Sequence, residues 1–143
     1  INRVDLDEVE ELLSRVQEVE LEEAAKTAEL RANNALLRGR VEQAYRILSA
    51  AADSFAAVDP LEPTRKRIRS YCVILRNHGL RYGGQGLPLS RDLLAPALTD
   101  DLRAADAWLW AGGENWRAVA LQEQGIRTDG PEGAALLADA VTA

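Results

Sequence analysis

The densest group of chemically capable side chains is the run Thr64-Arg65-Lys66-Arg67-Ile68-Arg69, followed by Arg76, Arg81 and Arg91. A guanidinium is a planar fork of donors that grips carboxylates or phosphates through paired hydrogen bonds. Arg65, Arg69 and Arg76, at spacings of four and seven, share one face if the segment is helical. With Arg81 and Tyr82 nearby, that face is expected to hold an acidic peptide or an acidic helix of a protein partner. The alternative is a solvated helix start, or an internal match to Glu20, Glu22 or Glu23 near the N-terminus. Bases in a first turn oppose the helix dipole by about 0.3–1 kcal/mol each, so either arrangement calls for an anion.

The other reactive groups are sparse. His78 and Cys72 are the sole histidine and cysteine, and six residues place them about 240° apart on a helix, which removes a thiolate–imidazole pair. Cys72 is expected to pack as a small hydrophobe and His78 to help cap a helix end. The segment Arg81-Tyr-Gly-Gly-Gln-Gly86 has the glycine content of a phosphate loop but no preceding strand and no Lys-Ser/Thr ending, so it is expected to be a connector. Trp108 and Trp110 project about 200° apart on one helix, so both are buried only if the helix is covered on two sides. Trp108 and Trp116 are expected in the core, and Trp110 is kept as a candidate aromatic anchor for a partner. No catalytic, cofactor or metal site is assigned, and the chain is not expected to be an enzyme.

Charge along the chain is sorted into three blocks. Residues 1–30 carry ten acids and three bases, residues 31–91 four acids and eleven bases, and residues 92–143 nine acids and three bases. A net charge of −6 hides this acidic, basic, acidic order, which points to self-docking or to a charged partner face. Direct nucleic-acid binding is not expected, because a polyanion is repelled by the whole chain and few aromatics interleave with the bases. One cysteine permits no intrachain disulfide, which fits a reducing, cytoplasmic setting. No apolar run approaches the roughly 20 residues that span a bilayer, so a soluble chain is expected. It lacks methionine and begins at isoleucine, as a piece of a longer product would.

The elements that must carry these groups read as helices. Leu and Ala dominate and β-branched residues are few. Leu6, Val9, Leu13 and Val16 form one helical stripe, and Leu21, Ala25, Ala28, Ala32 and Ala35 resume it after a five-residue step. That step predicts a bend, a change of partner or a short break at 18–23. The stripe predicts a helix lying on its own domain, with a coiled coil to another chain as the alternative and, through it, a homo-oligomer or a structural subunit of a larger complex.

Gly39 breaks the pattern before a second helix from Val41 to Val58, stopped by Pro60 and Pro63. A third is predicted from Arg65 to His78, capped by Thr64 and closed by Gly79. A short helix capped by Ser90, one from Thr99 to Gly112-Gly113, one over Asn115–Gln124 and a last one opened by Pro131 bring the number to about seven, with no strand. The predicted fold is all-α, a single domain of antiparallel helical hairpins stacked as a short solenoid or an irregular bundle. A long acidic helix spans 1–38, hairpins span 39–125 and a capping helix spans 126–143.

Three stretches resemble the tetratricopeptide family of helix-turn-helix repeats. These are Gly39-Arg-Val-Glu-Gln-Ala44 with Leu48 and Ala51; Gly79, Tyr82 and Gly86 with Ser90, Leu94 and Ala97; and Gly113-Glu-Asn-Trp116 with Val119 or Ala120. The resemblance covers about residues 24–125. It implies a right-handed stack of helix pairs whose concave face binds a peptide or another protein, a scaffold rather than a catalyst.

Overall fold

Ala-rich ridges let two helices approach closely, and the first two do so. In the computed structural model, which describes residues 3–61 and 67–142, α1 (Arg3–Leu37) and α2 (Val41–Val58) form an antiparallel hairpin. Ala25, Ala28, Ala32 and Ala35 of α1 are buried, as are Val41, Ala44, Leu48, Ala52 and Phe55 of α2. The turn between them needs a left-handed residue, and Gly39 supplies it at φ 71°.

The rest of the chain adds α3 (Ile68–Tyr82), α4 (Gly86–Leu94), a single 3-10 turn (Ala95–Ala97), α5 (Asp100–Ala105), α6 (Ala107–Arg127) and α7 (Gly130–Thr142). The molecule is all-α, with seven α-helices and no strand among the described residues. α3 pairs with α4, α4 packs on α6, and α6 pairs with α7, while α2 touches both α3 and α4. One core joins them: Leu36, Leu48, Tyr71, Cys72, Leu75, Leu93 and Leu94 meet at its centre, and Trp116 of α6 packs against its edge.

Several boundaries differ from the sequence reading, each for a packing reason. Gly79 does not end its helix. α3 continues to Tyr82 because Gly79 is where α4 crosses: a Cβ there would lie 2.6 Å from the Leu87 amide nitrogen, and one on Gly86 would lie 2.5 Å from the Gly79 nitrogen. The connector is therefore Gly83 to Gln85, shorter than predicted. Ser90 caps nothing. It is buried inside α4 and donates to the Cys72 carbonyl at 3.0 Å.

Thr99 does cap a helix, accepting from the Leu102 amide at 3.1 Å, but that helix ends at Ala105. Asp106 then caps α6, accepting from the Leu109 amide at 3.0 Å. α6 runs straight through Gly112 and Gly113, where two helices were predicted, and the Leu98 side chain occupies the space a Cβ on Gly113 would need. The predicted cap at Thr64 lies outside the described residues.

Candidate interaction surface

Two arginines of the central basic block are tied to the acidic blocks on either side of it. Arg67, at the start of α3, hydrogen-bonds Glu22 of α1, lies 3.5 Å from Glu29 and stacks over the Phe55 ring at 5.7 Å. Burial alone would lower its pKa; the hydrogen bond and charge of Glu22, helped by Tyr71 and Glu29, outweigh that and raise it. On the other side Arg76 holds Glu123 of α6 in a bidentate grip, Nε at 3.0 Å and Nη2 at 2.5 Å. The two pairs tie α3 to α1 and to α6 at once, and their partly buried setting makes them stronger than exposed pairs.

Each sequence candidate can now be placed. Arg69 and Arg76 meet over one ring, Trp116, at 5.6 and 5.2 Å. Arg81 is exposed and stacks over its neighbour Tyr82 at 5.6 Å, with the His78 ring 4.9 Å from the same tyrosine. His78 lies inside α3, a turn short of its end, so it caps nothing. Trp110 is half-buried on α6 beneath Arg103, at 4.7 Å, far along the chain from the arginine group. Arg65 lies outside the described residues. Trp108, expected in the core, is 89% exposed, because α6 is covered on one side only at its start.

Near the ends of α1 and α3 a cleft of about 680 Å³ is lined by Asn33, Leu36, Leu37, Asn77, Arg81 and Tyr82, among others. Arg81 forms no ion pair among the described residues. Its neighbourhood is where the predicted basic face remains open to a ligand.

The surface that sequence reasoning placed differently is the N-terminal half of α1. Leu6, Val9, Leu12, Leu13, Val16 and Val19 are each at least half exposed, the lowest 50% and the highest 62%. At 100° per residue these six fall within an arc of about 140°, a stripe roughly 20 Å long. The helix does not break at 18–23; it runs on as α1. The five-residue step from Val16 to Leu21 turns the apolar face by 140°, so the stripe and the alanines under α2 point in different directions. α2 cannot cover the stripe however long it is. The expectation that this stripe lies on its own domain is overturned among the described residues. The signal for this was already in the step size.

Carboxylates surround the stripe. Between Leu6 and Glu20 there are six acids and one base, Arg15, which already bonds Glu11. Glu8 borders one edge of the stripe, Glu10 the other, and Glu20 with Glu23 closes its C-terminal end.

No protein-family model, curated protein or solved structure matches this chain. Among the described residues no helix is long and apolar enough to cross a membrane, and no three or more His, Cys, Asp and Glu side chains gather as metal ligands would.

Proposed function

We propose that the chain is a protein-interaction or assembly module that docks a partner along the N-terminal half of α1. One observation carries this: six Leu and Val side chains form a continuous exposed stripe on a helix whose Ala25, Ala28, Ala32 and Ala35 are already buried in the hairpin with α2. Contiguous apolar surface of this kind marks interaction sites in proteins that otherwise bury such residues. Covering half-exposed Leu and Val side chains is worth about 1 kcal/mol each, so the six of the stripe supply about 6 kcal/mol. Association itself costs at least about 4 kcal/mol, so the partner must add further contacts. The role is structural recognition rather than catalysis, and a cytoplasmic setting is supported by a single buried, unpaired cysteine.

The decisive measurement compares the chain with Leu13→Glu/Val16→Glu in pull-down or light scattering under native conditions. Loss of every co-purifying or self-associated species, with circular dichroism unchanged, is expected. An unaltered assembly would reject α1 as the docking element.

A second reading has its own observation. The cleft that includes Arg81 and Tyr82 presents a guanidinium without an ion pair among the described residues, beside apolar walls, which suits the acidic peptide expected of the basic face, a peptide ligand being also what the tetratricopeptide resemblance implies. Of that resemblance, the turn at Gly39 is the part that supports a repeat-like hairpin. Arg81→Glu that leaves acidic-peptide binding intact would reject this second site.

A further inference from the structure

We infer that the occupant of the α1 stripe is an amphipathic helix with lysine or arginine along the edges of its apolar face, and not a second copy of this chain. The inference rests on the docking reading above and adds the chemistry of the partner. Its basis is the arrangement of charge around the stripe. Glu8 and Glu10 border the two edges, Glu20 and Glu23 stand at the end, and Asp7, Glu11 and Glu18 occupy the back. Arg15, the one base between Leu6 and Glu20, pairs with Glu11 of the same helix, so six acids are set against a single cation there.

In a second copy the acids at the edges and end of the stripe, Glu8, Glu10, Glu20 and Glu23, would meet another acidic stripe across the seam, while those on the back would stay in solvent. Positions that flank a helical seam choose the partner, since opposite charges steer and fix register while like charges reject. Elsewhere in the molecule the same pairing logic operates internally: Glu22 and Glu29, further along α1, are satisfied by Arg67 of α3. Glu8 and Glu10 have no such arginine within the described residues. A basic helix would give them what Arg67 gives Glu22.

The apolar contacts set where the partner lies. The six side chains sit at positions 6, 9, 12, 13, 16 and 19, so the matching helix needs about two heptads of Leu or Ile at complementary spacing. Arg or Lys on both edges of that face then reach Glu8 and Glu10.

The test uses two labelled synthetic 21-residue helical peptides with the same Leu stripe, one flanked by Lys and the other by Glu, titrated with the full chain by fluorescence anisotropy. The Lys peptide is expected to bind at least about tenfold more tightly, with an advantage that shrinks as salt rises from about 0.05 to 0.5 M. Glu8→Lys/Glu10→Lys should reverse the preference. Leu13→Glu/Val16→Glu makes the chain more acidic yet should weaken the Lys peptide, which separates docking on the stripe from general charge attraction; Leu13→Gln/Val16→Gln repeats that arm without changing the charge.

The failures are distinguishable. Equal binding of both peptides, lost together in Leu13→Glu/Val16→Glu, keeps the stripe as the docking site and overturns the basic partner. Lys-peptide binding that survives both stripe variants rejects the stripe itself. A dimer of the unmodified chain in sedimentation, abolished by the stripe variants, shows a second copy as occupant and overturns the inference, as does binding of neither peptide.

Discussion

The two halves of α1 share one helix and one acidic character but carry different apolar side chains. Toward Leu36 the buried face is alanine, with Ala25, Ala28, Ala32 and Ala35 letting the α2 backbone come close. Toward the N-terminus the apolar face is Leu and Val, pointed 140° away and left open. Small residues suit a neighbour already supplied by a hairpin turn. Large branched ones need a partner with matching holes, which this fold does not contain among its described residues. Along this single helix the face packed in the hairpin is mostly alanine, with Leu36 beside it, and the open N-terminal stripe is all Leu and Val.

The strongest way to break that comparison is to place the same residue in both halves. Ala32 is fully buried against α2, and Ala32→Glu puts a carboxylate where no cation reaches it, so we expect a loss of about 4 kcal/mol or more, or failure to fold. Leu13 is 59% exposed, and Leu13→Glu should leave stability within about 0.5 kcal/mol. Urea midpoints of the two variants decide the matter; similar losses would mean that the N-terminal half is packed after all.

A second contrast concerns contact distance rather than charge. At the crossing of α3 and α4, Gly79→Ala must push a Cβ against backbone atoms at 2.6 and 2.9 Å, which a side-chain rotation cannot relieve. We expect about 3 kcal/mol of destabilisation in thermal or urea unfolding. Gly112→Ala, on α6 where nothing lies within 4 Å, should be neutral or slightly stabilising. A mild Gly79→Ala would show that α3 and α4 can separate without loss.

Arg67 and Arg69 sharpen the comparison within the basic block. Arg67→Ala strips Glu22 and Glu29 of their partner and Phe55 of its cation, at an expected cost of about 2 kcal/mol. Arg69 is exposed and, among the described residues, makes no ion pair beside its ring contact with Trp116, so Arg69→Ala should cost under about 1 kcal/mol. Equal costs would mean that the arginine run acts as a diffuse charge field and not through the Arg67 node.

These contrasts also show what could be read in advance. The helical class, the Gly39 turn and the Thr99 cap were legible, since periodicity, a left-handed glycine and a capping hydroxyl are local signals. The charge blocks leave self-docking and a charged partner face both open, and that Arg67 rather than Arg69 meets Glu22 depends on how α3 is rotated against α1. Gly79, Gly86 and Gly113 were read as turns when they are close approaches inside or between helices. A glycine that frees φ and a glycine that makes room look alike in a sequence. Trp108 was misplaced for the same reason: spacing said that one of two tryptophans is exposed, and only the packing of α6 says which.

An effect confined to alkaline pH comes from the centre of the core and has a definite sign. Burial pushes the Cys72 thiol up to about 12 from 9.0 and the Tyr71 hydroxyl up to about 12 from 10.0, with Arg67 opposing the latter and Glu29 and Glu22 assisting. Above pH 9 the unfolded chain releases protons that the folded chain keeps, so the native state holds more protons and stability falls as pH rises. The decline should run from about 9 to about 12, with these two groups contributing nothing below it. Between about 9 and 10 the slope belongs to Cys72, and Cys72→Ala should flatten it. Above 10 Tyr71 adds its share, which Tyr71→Phe removes. The Tyr71 hydroxyl has no hydrogen-bond partner among the described residues, so that substitution should cost under about 1 kcal/mol at neutral pH or be mildly stabilising. Urea midpoints for the three proteins from pH 7 to 11 check each step. A flat alkaline limb in the unmodified chain would mean that the core admits water around these groups, and would place its edge at α3 rather than at its surface.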